Sequence, residues 1–260
     1  MGTVTYRDGI AILQLIIFPC ILTAALFIWS RTGWRVGSKI WRFPVTLSLI
    51  RIAGSICSLL TISHDSYNVE VAVAVCELIG IAPLLLTYIG LLRQIDARQT
   101  MNPKFLNLVA IICVIGLILG IAGVSTADDN ESTYHANTIV KVSMALFLAV
   151  FVVVLLMAVW LYFQLRHTLR AFQKKLFLAA ALSCPFLLTR LIYSAVADYT
   201  DSSRFAILTG NPTIYLCMDV LEEIIAMVIV MILGMSAVLE RDYIKPTPVR
   251  MSSDPEVDDA

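Results

Sequence analysis

The chain has 260 residues, of which 59% are hydrophobic and 15% are charged, and its mean hydropathy is +0.84. Soluble domains are about 45–50% apolar and about 25% charged, so this composition excludes an ordinary soluble protein and predicts an integral membrane protein. Lys plus Arg and Asp plus Glu balance at 19 each. The zero net charge gives no sign of a nucleic-acid partner.

Seven apolar segments are each close to or above the roughly 20 residues that cross about 30 Å of hydrocarbon. Segments of this length in lipid are helical, because every backbone polar group must be satisfied internally. We therefore predict an all-α, seven-transmembrane helix bundle over 1–243 and a disordered tail over 244–260. The predicted spans are Gly9–Trp29, Phe43–Ile62, Val69–Leu92, Leu106–Val124, Thr138–Phe163, Leu176–Val196 and Thr213–Ser236.

The basic residues predict the orientation of the bundle. Fourteen lie in the connections at 30–42, 93–105 and 164–175 and in the segment after Ala237, whereas the opposite side has only Arg7 and Arg204. Cytosolic loops carry the excess of Lys and Arg, so the N-terminus is expected outside or in a lumen and the C-terminus in the cytosol. All four tryptophans fall at the predicted cytosolic boundary, where an aromatic belt is expected.

Asn130 begins the glycosylation sequon Asn-Glu-Ser in a connection assigned to the outer side. The sequence thus predicts a multi-pass glycoprotein of the endoplasmic reticulum or the plasma membrane. Gly116 and Gly120 on the fourth span allow close approach of a second helix, either within the monomer or in a homo-oligomer.

Six charged residues lie inside the predicted spans and away from their ends, where each costs a few kcal/mol or more at the bilayer centre. Such residues face a bundle interior and mark functional sites. At a rise of 1.5 Å per residue, all six fall in the middle and outer half of the membrane, so we expect them to meet in one pocket. They are Arg51, Glu77, Arg190, Asp219, Glu222 and Glu223.

Helical spacing groups these residues with other polar side chains. The polar faces are Ser48, Arg51, Ser55 and Ser58 on the second span, Arg190 and Tyr193 on the sixth, and Tyr215, Asp219 and Glu222 on the seventh, with Glu223 at the edge of that face. Two arginines balance two carboxylates as ion pairs. The other two carboxylates are expected to be protonated, because burial and like charge both disfavour ionisation. A neutral buried carboxylic acid is a proton donor. In the alternative reading, Arg51 and Arg190 only join helices through Glu77 and Asp219.

Several seven-helix functions are disfavoured. A retinal protein needs a lysine in its seventh span, and Thr213–Ser236 has none. A zinc hydrolase needs several histidines at one membrane surface, but the chain has three in all, with His167 on the cytosolic side. The end of the third span lacks the acidic-Arg-aromatic signature of G-protein-coupled receptors. We predict no metal and no cofactor.

The chain from Thr5 to about Leu239 resembles an uncharacterised family of fungal seven-helix membrane proteins. The resemblance implies a fungal origin and a shared polar pocket. It rests on Tyr6–Gly9, Ser48–Gly54, Glu77–Leu86, Pro185–Ser194 and the segment from Gly210-Asn211 through Cys217-Met218-Asp219 to Glu222-Glu223.

Two more distant resemblances suggest different functions. The chain is similar in size and helix count to fungal membrane-bound terpene cyclases, which protonate a prenyl chain with intramembrane carboxylates. This likeness implies that Glu77, Asp219 and Glu222 are catalytic, although Cys76 replaces the Trp that precedes the Glu in the best-known branch. The substrate-binding residues would be Arg51, Arg190, Tyr193, Tyr215 and Glu223.

The chain is also similar to fungal lipid-translocating exporters, whose sixth span carries Arg and Tyr as Arg190 and Tyr193 do here. The first hypothesis is therefore an acid-catalysed cyclase or isomerase of prenylated, terpenoid substrates in secondary metabolism. The alternative is an exporter or sensor of lipids or small molecules with proton-carrying carboxylates. Both predict a lipophilic small molecule as the partner.

Overall fold

The structure, a computed structural model, describes residues 6–38, 40–60, 75–76, 79–96, 100–125, 137–200 and 211–243. Every regular element in these stretches is a helix, which confirms the predicted all-α class. The predicted tail at 244–260, Glu77 and Asn130 lie outside the described residues. The helices are α1 (Tyr6–Thr32), α2 (Trp34–Gly37), α3 (Arg42–Leu60), α4 (Ile81–Ile95), α5 (Pro103–Ser125), α6 (Thr138–Leu165), α7 (Ala171–Tyr199), α8 (Pro212–Tyr215), a π-helix (Leu216–Val220) and α9 (Leu221–Val238).

Five helices, α1, α3, α5, α6 and α7, are long and apolar enough to cross a bilayer, and each matches a predicted span. They indicate an integral, multi-pass membrane protein. Helix α4 has 15 residues, about 22 Å along its axis, although positions 75, 76 and 79 before it are helical too. The last segment is helical from Pro212 to Val238 but changes from α to π and back to α.

Helix α4 occupies the centre of the bundle. Every residue in it except Arg93 is buried, and it packs against α3, α5, α6 and α7. A helix that is apolar on all sides belongs in an interior, and α4 fits that pattern. Gly90 has no side chain to keep a neighbour away, and a Cβ there would lie 3.1 Å from the Cα of Ile40.

Helices α5 and α6 pack closely through glycines. A Cβ at Gly116 would lie 3.1 Å from the ring of Phe147, and one at Gly123 would lie 2.6 Å from Val140 Cγ2. Ser143 on α6 donates a hydrogen bond to the carbonyl of Gly116 at 2.6 Å. Gly116 and Gly123 thus serve packing within the monomer.

The remaining helices pair as α1 with α3 and α7 with α9, and α1 also contacts α9. Large apolar side chains such as Ile16 and Leu156 cover the outer surface. Trp34 and Trp160 are exposed, as an interfacial belt requires, but Trp41 is fully buried. Trp41 fits inside because Gly234 leaves room for its ring, 2.6 Å from where a Cβ would stand.

Tyr243 lies beyond the end of α9 and packs against the bundle. Its hydroxyl accepts a hydrogen bond from Nε2 of Gln94 at 3.1 Å, and its ring meets Phe172 edge-on at 5.7 Å between centroids. Burial raises the pKa of Tyr243 above its usual value, against smaller opposing effects of hydrogen bonds with Thr32 and Gln94.

Candidate functional site

Four charged side chains are buried together where α3, α7 and the last helical segment meet. Arg51 belongs to α3, Arg190 to α7, Asp219 to the π-helix and Glu223 to α9. Each is no more than 4% exposed. We call these four residues the charge cluster.

Glu223 is the centre of the charge cluster. Arg51 donates two hydrogen bonds to its carboxylate, from Nε to Oε1 at 2.7 Å and from Nη2 to Oε2 at 2.6 Å. Arg190 forms an ion pair with Oε2 of the same carboxylate. One carboxylate therefore joins two arginines from different helices, and a parallel two-point contact of this kind fixes geometry as well as charge.

Asp219 is the second anion of the charge cluster. Its Oδ1 lies 3.1 Å from Nη1 of Arg190, and its backbone carbonyl accepts a hydrogen bond from the same nitrogen at 3.3 Å. Its Oδ2 lies 3.7 Å from Nη2 of Arg51. Two cations and two anions give a net charge of zero, in agreement with the charge count made from the sequence.

The π-helix decides which glutamate enters the charge cluster. Regular α spacing predicts that Glu222 shares a face with Tyr215 and Asp219, with Glu223 at the edge. In the structure Tyr215, Asp219 and Glu223 are buried, and Glu222 is only partly buried. The Leu221 amide bonds to the Leu216 carbonyl, five residues back, and such a wide turn holds about one extra residue. The following positions shift by one, so Glu223 takes the place expected for Glu222.

Gly80 allows both guanidinium groups to reach the cluster. A Cβ on this residue would lie 2.7 Å from Nη2 of Arg51 and 3.0 Å from Nη2 of Arg190. Any side chain at this position would push the arginines away from their carboxylates. The sequence alone does not distinguish Gly80 from a glycine that serves helix packing.

A pocket opens beside the charge cluster and shares Asp219 with it. It lies between α4, α6, α7 and the last helical segment, and its empty space of about 430 Å³ includes the open mouth. Tyr193 and Tyr215, predicted to bind substrate, line it, whereas Arg51, Arg190 and Glu223 are not among its described lining residues. The other lining residues are Ile81, Val140, Ser143, Met144, Phe147, Ser194 and Asp198.

Asp198 is a site residue that the sequence analysis missed. The predicted sixth span ends at Val196, which placed Asp198 in a loop, but α7 continues to Tyr199. The side chain is buried, and no hydrogen-bond partner for its Oδ1 occurs in the part of the chain that the structure describes. The sequence did indicate that the helix could continue, because no helix-breaking residue lies between Val196 and Tyr199.

The other predicted acids are placed less centrally. Glu222 does not line the pocket, and its Oε2 is enclosed without a hydrogen-bond partner among the described residues. The role of Glu77 stays a prediction, since its position is outside those residues. Within the described ranges, no group of three His, Cys, Asp or Glu side chains is arranged to hold a metal.

Comparison with known proteins identifies a family that covers most of the chain. A family model described as a domain of unknown function, DUF7702, matches residues 4–240. No curated protein and no solved structure matches the chain. The match agrees in extent with the resemblance seen in the sequence but assigns no activity, so the fungal origin and the likenesses to cyclases and exporters stay predictions.

Proposed function

The chain belongs to the DUF7702 family, a family of unknown function, and from its own geometry we propose that it is a membrane receptor or exporter for a lipophilic small molecule. The molecule enters the pocket between α4, α6, α7 and the last helical segment. This proposal places the exporter or sensor hypothesis ahead of the cyclase hypothesis. The reason is that Asp219, the predicted catalytic acid nearest the pocket, is paired with Arg190. An arginine-paired carboxylate is held as an anion and is a poor proton donor.

The proposal includes seven crossings with the N-terminus outside. Helix α4 and the segment from Pro212 to Val238 supply the third and seventh crossings. Support comes from the fourteen basic residues on one side against two on the other. A pocket that shares its wall with Asp219 then lies in the outer half of the membrane, open to molecules dissolved in lipid.

Asp219 links the pocket to the charge cluster, because its side chain belongs to both. A molecule that contacts Asp219 changes the field at Arg190 on α7 and at Arg51 on α3. In a low-dielectric interior such changes are weakly screened. A ligand shifts a conformational equilibrium by the difference in its affinity for the two states. A ligand that contacts Asp219 in only one of two states has such a difference in affinity. The contact then acts on the three spans that carry the charge cluster.

The experiment measures binding and transport by the same protein. Full-length protein in nanodiscs is screened with a panel of lipophilic molecules by the shift in its melting temperature, and hits are followed across sealed vesicles. Ser194→Phe fills the pocket, and we expect it to abolish the shifts. Leu156→Phe adds the same ring on the exposed outer face and is the control. Shifts that survive Ser194→Phe would contradict the proposed site.

A second function, acid-catalysed cyclisation, is kept because two carboxyl groups outside the charge cluster have an oxygen without a hydrogen-bond partner among the described residues. These are Oδ1 of Asp198 and Oε2 of Glu222. A protonated acid would add its proton to an olefin or epoxide, and the anionic Asp219 would stabilise the developing cation before a proton is lost. The product is an isomer of the substrate.

Mass spectrometry separates the two functions. Microsomes containing the protein are incubated with prenylated phenols and their terminal epoxides, beside microsomes with Asp198→Asn, Glu222→Gln, Glu77→Gln or Asp219→Asn. An isomer of unchanged mass that only the wild type makes would establish the cyclase. Untouched substrates that nevertheless raise the melting temperature would support the receptor or exporter.

A further inference from the structure

The charged side chains in the described lining of the pocket are both acidic. Asp198 and Asp219 both line it, and no Lys or Arg is among its described lining residues. Within the charge cluster Asp219 and Glu223 are already matched by Arg51 and Arg190. Asp198 is therefore the lining carboxylate for which the described residues show no ion pair.

Asp198 is a buried carboxylate in the wall of the pocket. The residue is 5% exposed, and its Oδ1 accepts no hydrogen bond within the described part of the chain. Lys141 attracts it electrostatically, but the described residues show no ion pair between the two side chains. A buried carboxylate without a donor is costly, and a ligand that donates a hydrogen bond to it would remove that cost.

The rest of the lining suits a molecule with an apolar body and a cationic head. Ile81, Met144 and Phe147 offer hydrocarbon contacts, and Tyr193 and Tyr215 add aromatic rings. Aromatic faces attract cations. The Tyr215 ring already contacts one cation, since the guanidinium carbon of Arg7 lies 5.9 Å from its centroid.

We propose that the pocket binds a lipophilic amine in its protonated form, with the ammonium group between Asp198 and Asp219 and the hydrocarbon against Phe147 and Met144. The inference rests on the proposed binding function and gives its substrate class. An ammonium N–H donates to Oδ1 of Asp198, which has no hydrogen-bond partner among the described residues, and its positive charge pairs with that carboxylate. A neutral alcohol of the same shape can donate a hydrogen bond to Oδ1 but does not supply the positive charge.

The experiment compares two probes that differ in charge, phenylbutylamine and phenylbutanol. Each is titrated into full-length protein in nanodiscs of zwitterionic lipid, and the affinity is measured by calorimetry. We expect the amine to bind about tenfold or more tightly than the alcohol, as a charge-assisted hydrogen bond provides. Asp198→Asn should lower the amine's affinity to that of the alcohol, whereas Asp242→Asn, on an exposed residue, should leave it unchanged.

Lys141→Met gives a second test that does not remove a pocket residue. Without the lysine charge beside Asp198, the amine should bind more tightly while binding of the alcohol stays the same. A preference for the amine that survives Asp198→Asn would overturn the role of Asp198. Equal affinities of the two probes, both lost in Ser194→Phe, would overturn the charge selectivity and leave the proposed binding function intact. Binding of neither probe at the pocket would overturn both.

Discussion

Replacing Glu223 by Gln is the sharpest test of the charge cluster. The carboxylate is 1% exposed and is shared by Arg51 and Arg190. Glutamine keeps the shape and an oxygen that accepts hydrogen bonds but removes the negative charge. Two arginines then face Asp219 alone, and the buried cluster has a net charge of +1.

The expected cost follows from this uncompensated charge. Breaking a buried ion pair by removing one partner costs about 3–5 kcal/mol of unfolding free energy. For a chain of this size, a loss of that order lowers the midpoint of thermal unfolding by roughly 10 °C. Glu222→Gln is the matched control, because Glu222 is next in the chain, is only partly buried and makes no ion pair within the described residues. Glu222→Gln should lower the free energy of unfolding by less than about 1 kcal/mol.

The assay heats detergent-solubilised protein and follows the monodisperse peak in size-exclusion chromatography. The double variant Arg51→Gln/Glu223→Gln should recover part of the loss, because it leaves Arg190 with Asp219 and restores a net charge of zero. Coupling of about 0.5–3 kcal/mol is expected between such neighbours. Equal losses for Glu222→Gln and Glu223→Gln, or a double variant no more stable than Glu223→Gln alone, would refute the geometry.

Three further predictions concern other parts of the chain. Gly80→Val displaces both guanidinium groups and should lower stability in the same assay by about 1–3 kcal/mol. Tyr243→Phe removes the hydroxyl that accepts from Gln94 and should cost about 1 kcal/mol at neutral pH. Because the folded-state pKa of Tyr243 is raised, its stabilisation is complete below the unfolded pKa of about 10 and is lost as pH rises above it. Asn130→Gln should abolish an endoglycosidase-sensitive gel shift if that connection lies outside.

Each of these predictions has a control. Gly9→Val adds the same side chain where no atom lies within 4 Å, so a loss equal to that of Gly80→Val would point to helix propensity instead of the arginines. The wild type should lose more stability than Tyr243→Phe as pH rises above 10, and parallel losses would rule out the tyrosine as the cause. A gel shift that persists in Asn130→Gln would remove the support that the sequon gives to the orientation.

The amino-acid sequence by itself determined the class of the protein and the main participants of its site. Long apolar segments require helices in lipid, and that requirement depends on composition and length alone. Charges inside such segments are costly wherever they lie, so Arg51, Arg190 and Asp219 were identifiable without a structure. Their pairing in opposite signs followed from the count of charges.

The tertiary structure decided which side chains meet. The π-helix before α9 shifts the register by one residue, and for that reason Glu223, predicted at the edge of the polar face, is the carboxylate between the arginines. Regular α-helical periodicity does not predict this shift of one residue. Helix α7 continues far enough to carry Asp198 into the pocket, and Gly80 acts through two guanidinium groups from other helices. Contacts of this kind depend on where helices distant in the chain pack, which local sequence patterns do not specify.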